Sequence, residues 1–297
     1  MKISSFRSRT PHVIQKLIAK APSSPEAQIS SFPFVSGDTF LQMASTIFSE
    51  TGLIQRAGAF QSLVFAAGKE AGSKGFVQRA EKFIAKQDGA EFTLLIHNGD
   101  LIPSKDQLNQ LCQLFQKVYC VNLVEENPSL KALPIGLENA QLSNNGRLSY
   151  YLEGLSEPRS SDRSRLVVSS FHPSNNPAVR EPTARLFKAS RFGFDGHAWK
   201  RAEYREVLRQ TCFVISPPGN GPDCHRTWEA IYLGAVPVVL RPHLAASLRQ
   251  DMPILAVDSY EEFLDMSDDS LREQYELLAV RQASKAFAAH WIGEFSR

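Results

Sequence analysis

Arg226 and Glu229 stand three residues apart in Cys224-His-Arg-Thr-Trp-Glu229, directly behind the stretch Ser216-Pro-Pro-Gly-Asn-Gly-Pro-Asp223. Three prolines and two glycines force the backbone of that stretch to turn sharply and leave few side chains to keep a ligand off the main chain. A helix starting behind it presents unpaired N–H groups and the positive end of its dipole, which suits a phosphate. The loop residues Ser216, Gly219, Asn220 and Gly221 would then cradle the anion, and Arg226 would add a fork of donors to a diphosphate. Glu229, on the same helix face, could accept hydrogen bonds from both hydroxyls of a ribose. Asp223 reads as the N-cap, while Trp228, Ile231 and Tyr232 fall on the other side and read as core rather than as base-stacking residues. Many glycine loops merely turn, and many Arg/Glu pairs at this spacing merely decorate a surface. Spacing alone therefore leaves a nucleotide site and an ordinary turn both open.

A loop of this kind needs a strand before it and a strand after it. Residues 212–216 and 236–240 are short apolar runs that fit buried parallel strands, and Gly234 ends the helix expected over 224–233. Similar runs over 63–66, 92–96, 118–122, 132–135, 166–170 and 254–257 read as further strands. Helices are expected over 40–50 (capped by Asp38 or Thr39), 77–86, 105–115, 179–189, 200–209, 260–265 and 269–287. Strands alternating with helices imply parallel sheets covered on both faces. Residues 143–165 interrupt the alternation with Ser, Asn, Arg, Gly and Pro. The expected organisation is thus a basic leader over 1–30, an α/β domain over 31–155 and a second α/β domain over 156–297, with a cleft between the two.

The 297 residues are 43% hydrophobic and 22% charged with a net charge of +2, so there is no broad field for gripping nucleic acid and any anion site must be local. No apolar run approaches the roughly 18–20 residues of a membrane-spanning helix, and the start lacks the apolar core of a secretory signal. Lys2, Arg7, Arg9, Lys16 and Lys20 all precede the first acid, Glu26, with Val13, Ile14, Leu17 and Ile18 at helical spacing. That leader is read as a solvated or packed segment, with membrane-surface contact or a cleaved presequence as alternatives. Cys112, Cys120, Cys212 and Cys224 lack zinc-ligand spacing and read as free thiols, which places the protein in the cytoplasm.

The stretch 216–239 resembles the sugar-donor signature of the exostosin-like glycosyltransferases: Ser-Pro-x-Gly-x-Gly, an Arg on a helix, Glu-Ala, then Gly-x-x-Pro-Val. The resemblance implies a GT-B fold, two Rossmann-like domains facing across a cleft with the nucleotide-sugar held by the second. It implies that Arg226 contacts the diphosphate and that Glu229 binds the ribose. Leu166-Val-Val-Ser-Ser-Phe-His-Pro-Ser-Asn-Asn-Pro-Ala-Val-Arg180 is similar to the segment that opens the sugar-donor domain in such proteins, which implies that Asn176 and Arg180 face the phosphates from the opposite wall. An Asn-Pro turn and a solvated Arg is the ordinary alternative. Leu94–Asp100 and Leu133–Asn139 are similar to the acceptor-side half of related sequences. Pro218 stands where many relatives carry a basic residue, and the transmembrane stem and long insertions of the animal enzymes are missing, which suggests a compact soluble version.

Sugar transfer needs a stabilised leaving diphosphate, a positioned acceptor hydroxyl and, in an inverting enzyme, a general base. No Asp-x-Asp triplet offers a metal site, so the expected reaction is metal-independent and needs no cofactor beyond the nucleotide-sugar substrate. The expected base lies at the carboxyl end of a first-domain strand, with His97, Asp100 and Asp38 as candidates. Each is also an ordinary turn residue. His225 and His172 flank the loop and could touch phosphate or sugar. The function expected is hexosyl- or pentosyl transfer to a carbohydrate or glycoconjugate acceptor, as in polysaccharide biosynthesis. A fucosyltransferase-like GT-B enzyme and a catalytically silent nucleotide- or carbohydrate-binding module are the competing readings.

Overall fold

The computed structural model describes residues 29–140, 148–155, 163–196 and 199–297. The basic leader up to position 28, and most of the 143–165 segment where the sequence suggests a division, lie outside the described residues. Within them the chain is a mixed α/β protein with two sheets. The first contains β1 (Ala44–Ser49), β2 (Gly52–Gln55), β3 (Phe60–Ala67), β4 (Thr93–His97), β5 (Lys117–Val121) and β6 (Leu130–Leu133), in the order β2-β1-β3-β4-β5-β6. Only the β1–β2 hairpin is antiparallel. The second sheet is all parallel, β7 (Arg165–Val168), β8 (Thr211–Ile215), β9 (Val236–Leu240) and β10 (Leu255–Val257), in the order β10-β9-β8-β7.

Both sheets add their parallel strands in one direction without reversing. Neither therefore has the switch point at which open α/β sheets ordinarily bind ligands. The crevice arises instead where the carboxyl ends of β4, β5 and β6 meet the loop leaving β8. Every residue of β8 is buried, as expected of a strand covered on both faces. Alternation then splits its side chains. Phe213 and Ile215 face an outer core with Phe263, Leu271 and Tyr275, whereas Val214 joins an inner core that continues without a break into the first sheet.

Two expected elements are corrected. The helix over 40–50 stops early: Gly37–Met43 is helical and Ala44 opens β1. Ala-Ser-Thr-Ile-Phe-Ser is rich in β-branched and aromatic residues, and Gly52, at φ 134°, supplies a backbone that a side chain resists, turning the chain into β2. The helix expected over 269–287 ends at Ala279 (Asp268–Ala279), and a further helix beyond that range, Ala288–Phe295, crosses back to the first sheet. There Trp291 packs on Phe40 and Tyr119, with ring centroids 5.6 and 6.3 Å away, and Phe295 packs on Tyr119 at 5.2 Å. Packing therefore does not follow the two halves of the chain. All four cysteines are free thiols, and no helix among the described residues is long and apolar enough to cross a membrane.

Candidate functional site

The loop leaving β8 is pinned from beneath. Arg180, only 3% exposed, donates from Nε to the Pro218 carbonyl at 2.8 Å, from Nη2 to that of Pro217 at 3.3 Å and from Nη1 to that of His172 at 3.2 Å. Asn176 Nδ2 donates to the Gly219 carbonyl at 2.9 Å. Both residues thus sit on the predicted wall, but they spend these donors on loop carbonyls and shape the cradle. Gly219 N–H is likewise used inside the loop, on the Gly221 carbonyl at 3.0 Å. Buried Ser216 ties the strand end to the following helix through Thr227 Oγ1 at 2.9 Å and Cys224 Sγ at 3.2 Å.

The helix His225–Tyr232 begins behind this loop with Cys224 as its N-cap and no side-chain cap. Asp223, expected to cap it, points to the first sheet instead. Its carboxylate accepts the Ile135 amide at 2.8 Å and the Trp228 indole N–H at 3.0 Å, and burial pushes its pKa up to about 6. Trp228, Ile231 and Tyr232 are core, and Tyr232 Oη accepts the Val35 amide while donating to the Ala286 carbonyl. The open N-terminus of this helix is therefore rigidly mounted.

Arg226 and Glu229 leave the helix on one side. The Arg226 and Arg180 guanidinium carbons lie 5.9 and 5.8 Å from the centre of the Phe171 ring. Burial alone would lower the pKa of Arg226, but Tyr204, Cys224 and Glu229 beside it outweigh that and raise it; Arg180 is lowered by burial and by the neighbouring Arg226 charge. Arg226 Nε and the hydroxyls of Tyr204 and Tyr260 are buried and, among the described residues, have no hydrogen bond of good geometry. Glu229 accepts the Tyr151 hydroxyl at 3.2 Å. Two cations and two buried hydroxyls thus converge beside an uncapped helix start, an arrangement that a multiply charged anion would suit.

On the other side lies a cleft of about 360 Å³ lined by Gly37, His97, Asn98, Gly99, Asp100, Val121, Ile135, Glu138, Asn139 and His225. His97 and Asp100 therefore share it with His225, and Asp100 Oδ2 accepts the Asn220 amide at 3.1 Å, bridging the two sheets. His97 is less available than its position suggests. Its Nδ1 accepts the Asn98 amide at 2.8 Å, its Nε2 lies 3.0 Å from the Pro134 carbonyl, and burial lowers its pKa to about 4. Asp38 is engaged as well, with Oδ2 accepting the Ala140 amide at 3.1 Å.

Sequence reasoning missed three asparagines that shape the cleft. Asn98 and Asn122 each follow directly on a strand end and adopt positive φ, 56° and 60°. Asn98 Oδ1 accepts the Asn139 amide at 3.0 Å, and Asn122 Oδ1 accepts the Asp223 N–H at 3.3 Å. The signal was present: an Asn just past an apolar strand is the residue, after Gly, that best tolerates a left-handed backbone. Tyr151 and Tyr204 carried no comparable signal. No protein-family model matches this chain, and no curated protein matches it. Fold and site define a two-sheet α/β protein whose strand ends line a polar cleft beside a pair of buried arginines.

Proposed function

We propose that the chain is a GT-B-type glycosyltransferase that takes a sugar from a nucleotide-sugar and passes it to a carbohydrate or glycoconjugate hydroxyl, with inversion and without a metal. The observation that carries this reading is the buried Nε of Arg226, without a hydrogen bond among the described residues, beside the uncapped helix start, with Glu229 one turn behind it. The diphosphate would take Arg226 and the first helix amides, and the ribose would take Glu229. The acceptor would enter the cleft on the His97 and Asp100 side. Free thiols fit a reducing cytoplasm.

A panel of UDP- and GDP-sugars, tested for a rise in melting temperature and for release of the nucleoside diphosphate with EDTA present, checks the reading. Binding together with EDTA-insensitive release is the expected outcome; no shift with any nucleotide would overturn it. The engagement of His97 and Asp38 in structural hydrogen bonds favours one second reading, a binding module that keeps the sugar-donor site without turnover. Binding with no release under any acceptor would select that module.

A further inference from the structure

We infer that His225, rather than a residue of the first sheet, is the general base of the transfer reaction, an inference that rests on the glycosyltransferase reading. His225 Nδ1 lies 2.8 Å from the Gly136 carbonyl oxygen. A carbonyl has no proton to give, so Nδ1 carries the hydrogen and the Nε2 lone pair is left free. His225 lines the 360 Å³ cleft, and among the described residues nothing hydrogen-bonds its Nε2. A carbonyl that fixes the tautomer from behind, in a cleft-lining residue whose other nitrogen is uncommitted, is the arrangement that proton abstraction requires.

The three bases expected from the sequence are worse placed. Both nitrogens of His97 are occupied, and Asp38 holds the Ala140 amide. Asp100 is exposed and spends Oδ2 on Asn220, which makes it a clasp between the sheets. His225 also opens the helix whose next residue, Arg226, packs its guanidinium over Phe171 beside Arg180, so one rigid element presents the base and the proposed leaving-group contact about 100° apart. In the reaction the acceptor O–H bond breaks and its proton passes to Nε2. The oxygen's electron pair forms the new bond to the anomeric carbon. The bond from that carbon to the phosphate oxygen breaks, and its pair leaves on the nucleoside diphosphate. Asp223 of its own loop and His97 of β4 interact electrostatically with His225, and the carboxylates of Asp100 and Glu138 line the same cleft.

The test uses the full chain and the UDP- or GDP-sugar that raises its melting temperature most. His225→Asn keeps a donor for the Gly136 carbonyl, because the amide nitrogen stands where Nδ1 stood, and removes Nε2. The proposal expects unchanged binding of the nucleotide-sugar by calorimetry, hydrolysis slower by roughly 10²–10⁴-fold, and loss of the acid limb of the wild-type pH–rate profile. Independently of turnover, the nitrogen spectrum of the wild-type protein should show His225 protonated on Nδ1 and bare on Nε2. Turnover in His225→Asn close to wild type, affinity that falls in step with turnover, or a proton on Nε2 would each overturn the assignment. If Asp100→Asn alone abolished turnover while binding persisted, the glycosyltransferase reading would stand and the base would be Asp100. A wild-type chain that neither binds nor hydrolyses any of the panel would overturn both.

Discussion

At the scale of single residues the site runs on two buried groups of opposite tendency. Asp223, ordinarily near 3.8, is pushed up to about 6 by burial, and His97, ordinarily near 6.5, is held down at about 4 by burial. Between those values the folded chain holds the Asp223 proton more tightly than the unfolded chain does. The stability from this group is therefore complete below about pH 4 and is lost as pH rises through 6. His97 runs the other way: its contribution is complete above about 6.5 and is lost as pH falls through 4. Each is worth at most about 3 kcal/mol, so the two largely cancel across the acid range. Asp223→Asn keeps an acceptor for Ile135 and Trp228 and removes the titration. Its stability relative to wild type, from urea unfolding, should therefore improve steadily from pH 4 to 7; a difference that stays flat with pH would contradict a buried, raised carboxyl. Glu229→Ala should weaken nucleotide-sugar binding roughly tenfold or more through the lost hydrogen bonds to the ribose. Unchanged affinity by calorimetry would remove Glu229 from the ribose site.

At the scale of elements, the strand–loop–helix of 212–240 could be read from sequence because prolines, glycines and apolar runs encode local conformation directly. The destination of Asp223 could not be read, because its partners at 135 and 228 come from a different sheet and a different turn of helix. The β1–β2 hairpin was missed for a local reason. Phe40 and Met43 fit a helical stripe that continues on paper through Ile47, and only the β-branched run before Gly52 argues against it. The interlock between the sheets is likewise a matter of tertiary contact. A Cβ added to Gly221 would fall 2.5 Å from Asn122 Oδ1, so only glycine lets the loop of the second sheet close on the strand end of the first. Gly221→Ala should cost about 1–3 kcal/mol by overpacking. Asn122→Gly, which suits the positive φ and removes the obstructing side chain, should recover most of that loss in the double variant. A double-mutant cycle with no coupling would mean that the two loops do not touch as described.

At the scale of the whole molecule, the chain's return to the first sheet decides how the cleft is held. Lys285 donates to the Ser247 and Gln250 carbonyls beside the second sheet, and Ser247 in turn donates to Glu126 of the first. A few residues on, Trp291, 4% exposed, donates its indole N–H to the Lys285 carbonyl at 2.9 Å and packs under Phe40, whose ring lies 5.2 Å from that of His97. The strap thus reaches the floor of the cleft through a run of rings. With the inner core continuous between the sheets, loss of this packing should be felt by both together. Trp291→Ala should cost roughly 3–5 kcal/mol. Trp291→Phe keeps the ring contacts but loses the bond to Lys285, and should cost about 1–2 kcal/mol. In both variants, made on a Trp199→Phe background so that Trp228, buried beside the second sheet, is the remaining tryptophan, far-UV circular dichroism and fluorescence should follow a single coincident urea transition. A second sheet that stayed folded, with Trp228 still shielded, after the first had unfolded would show that the strap joins two independent bodies rather than completing one.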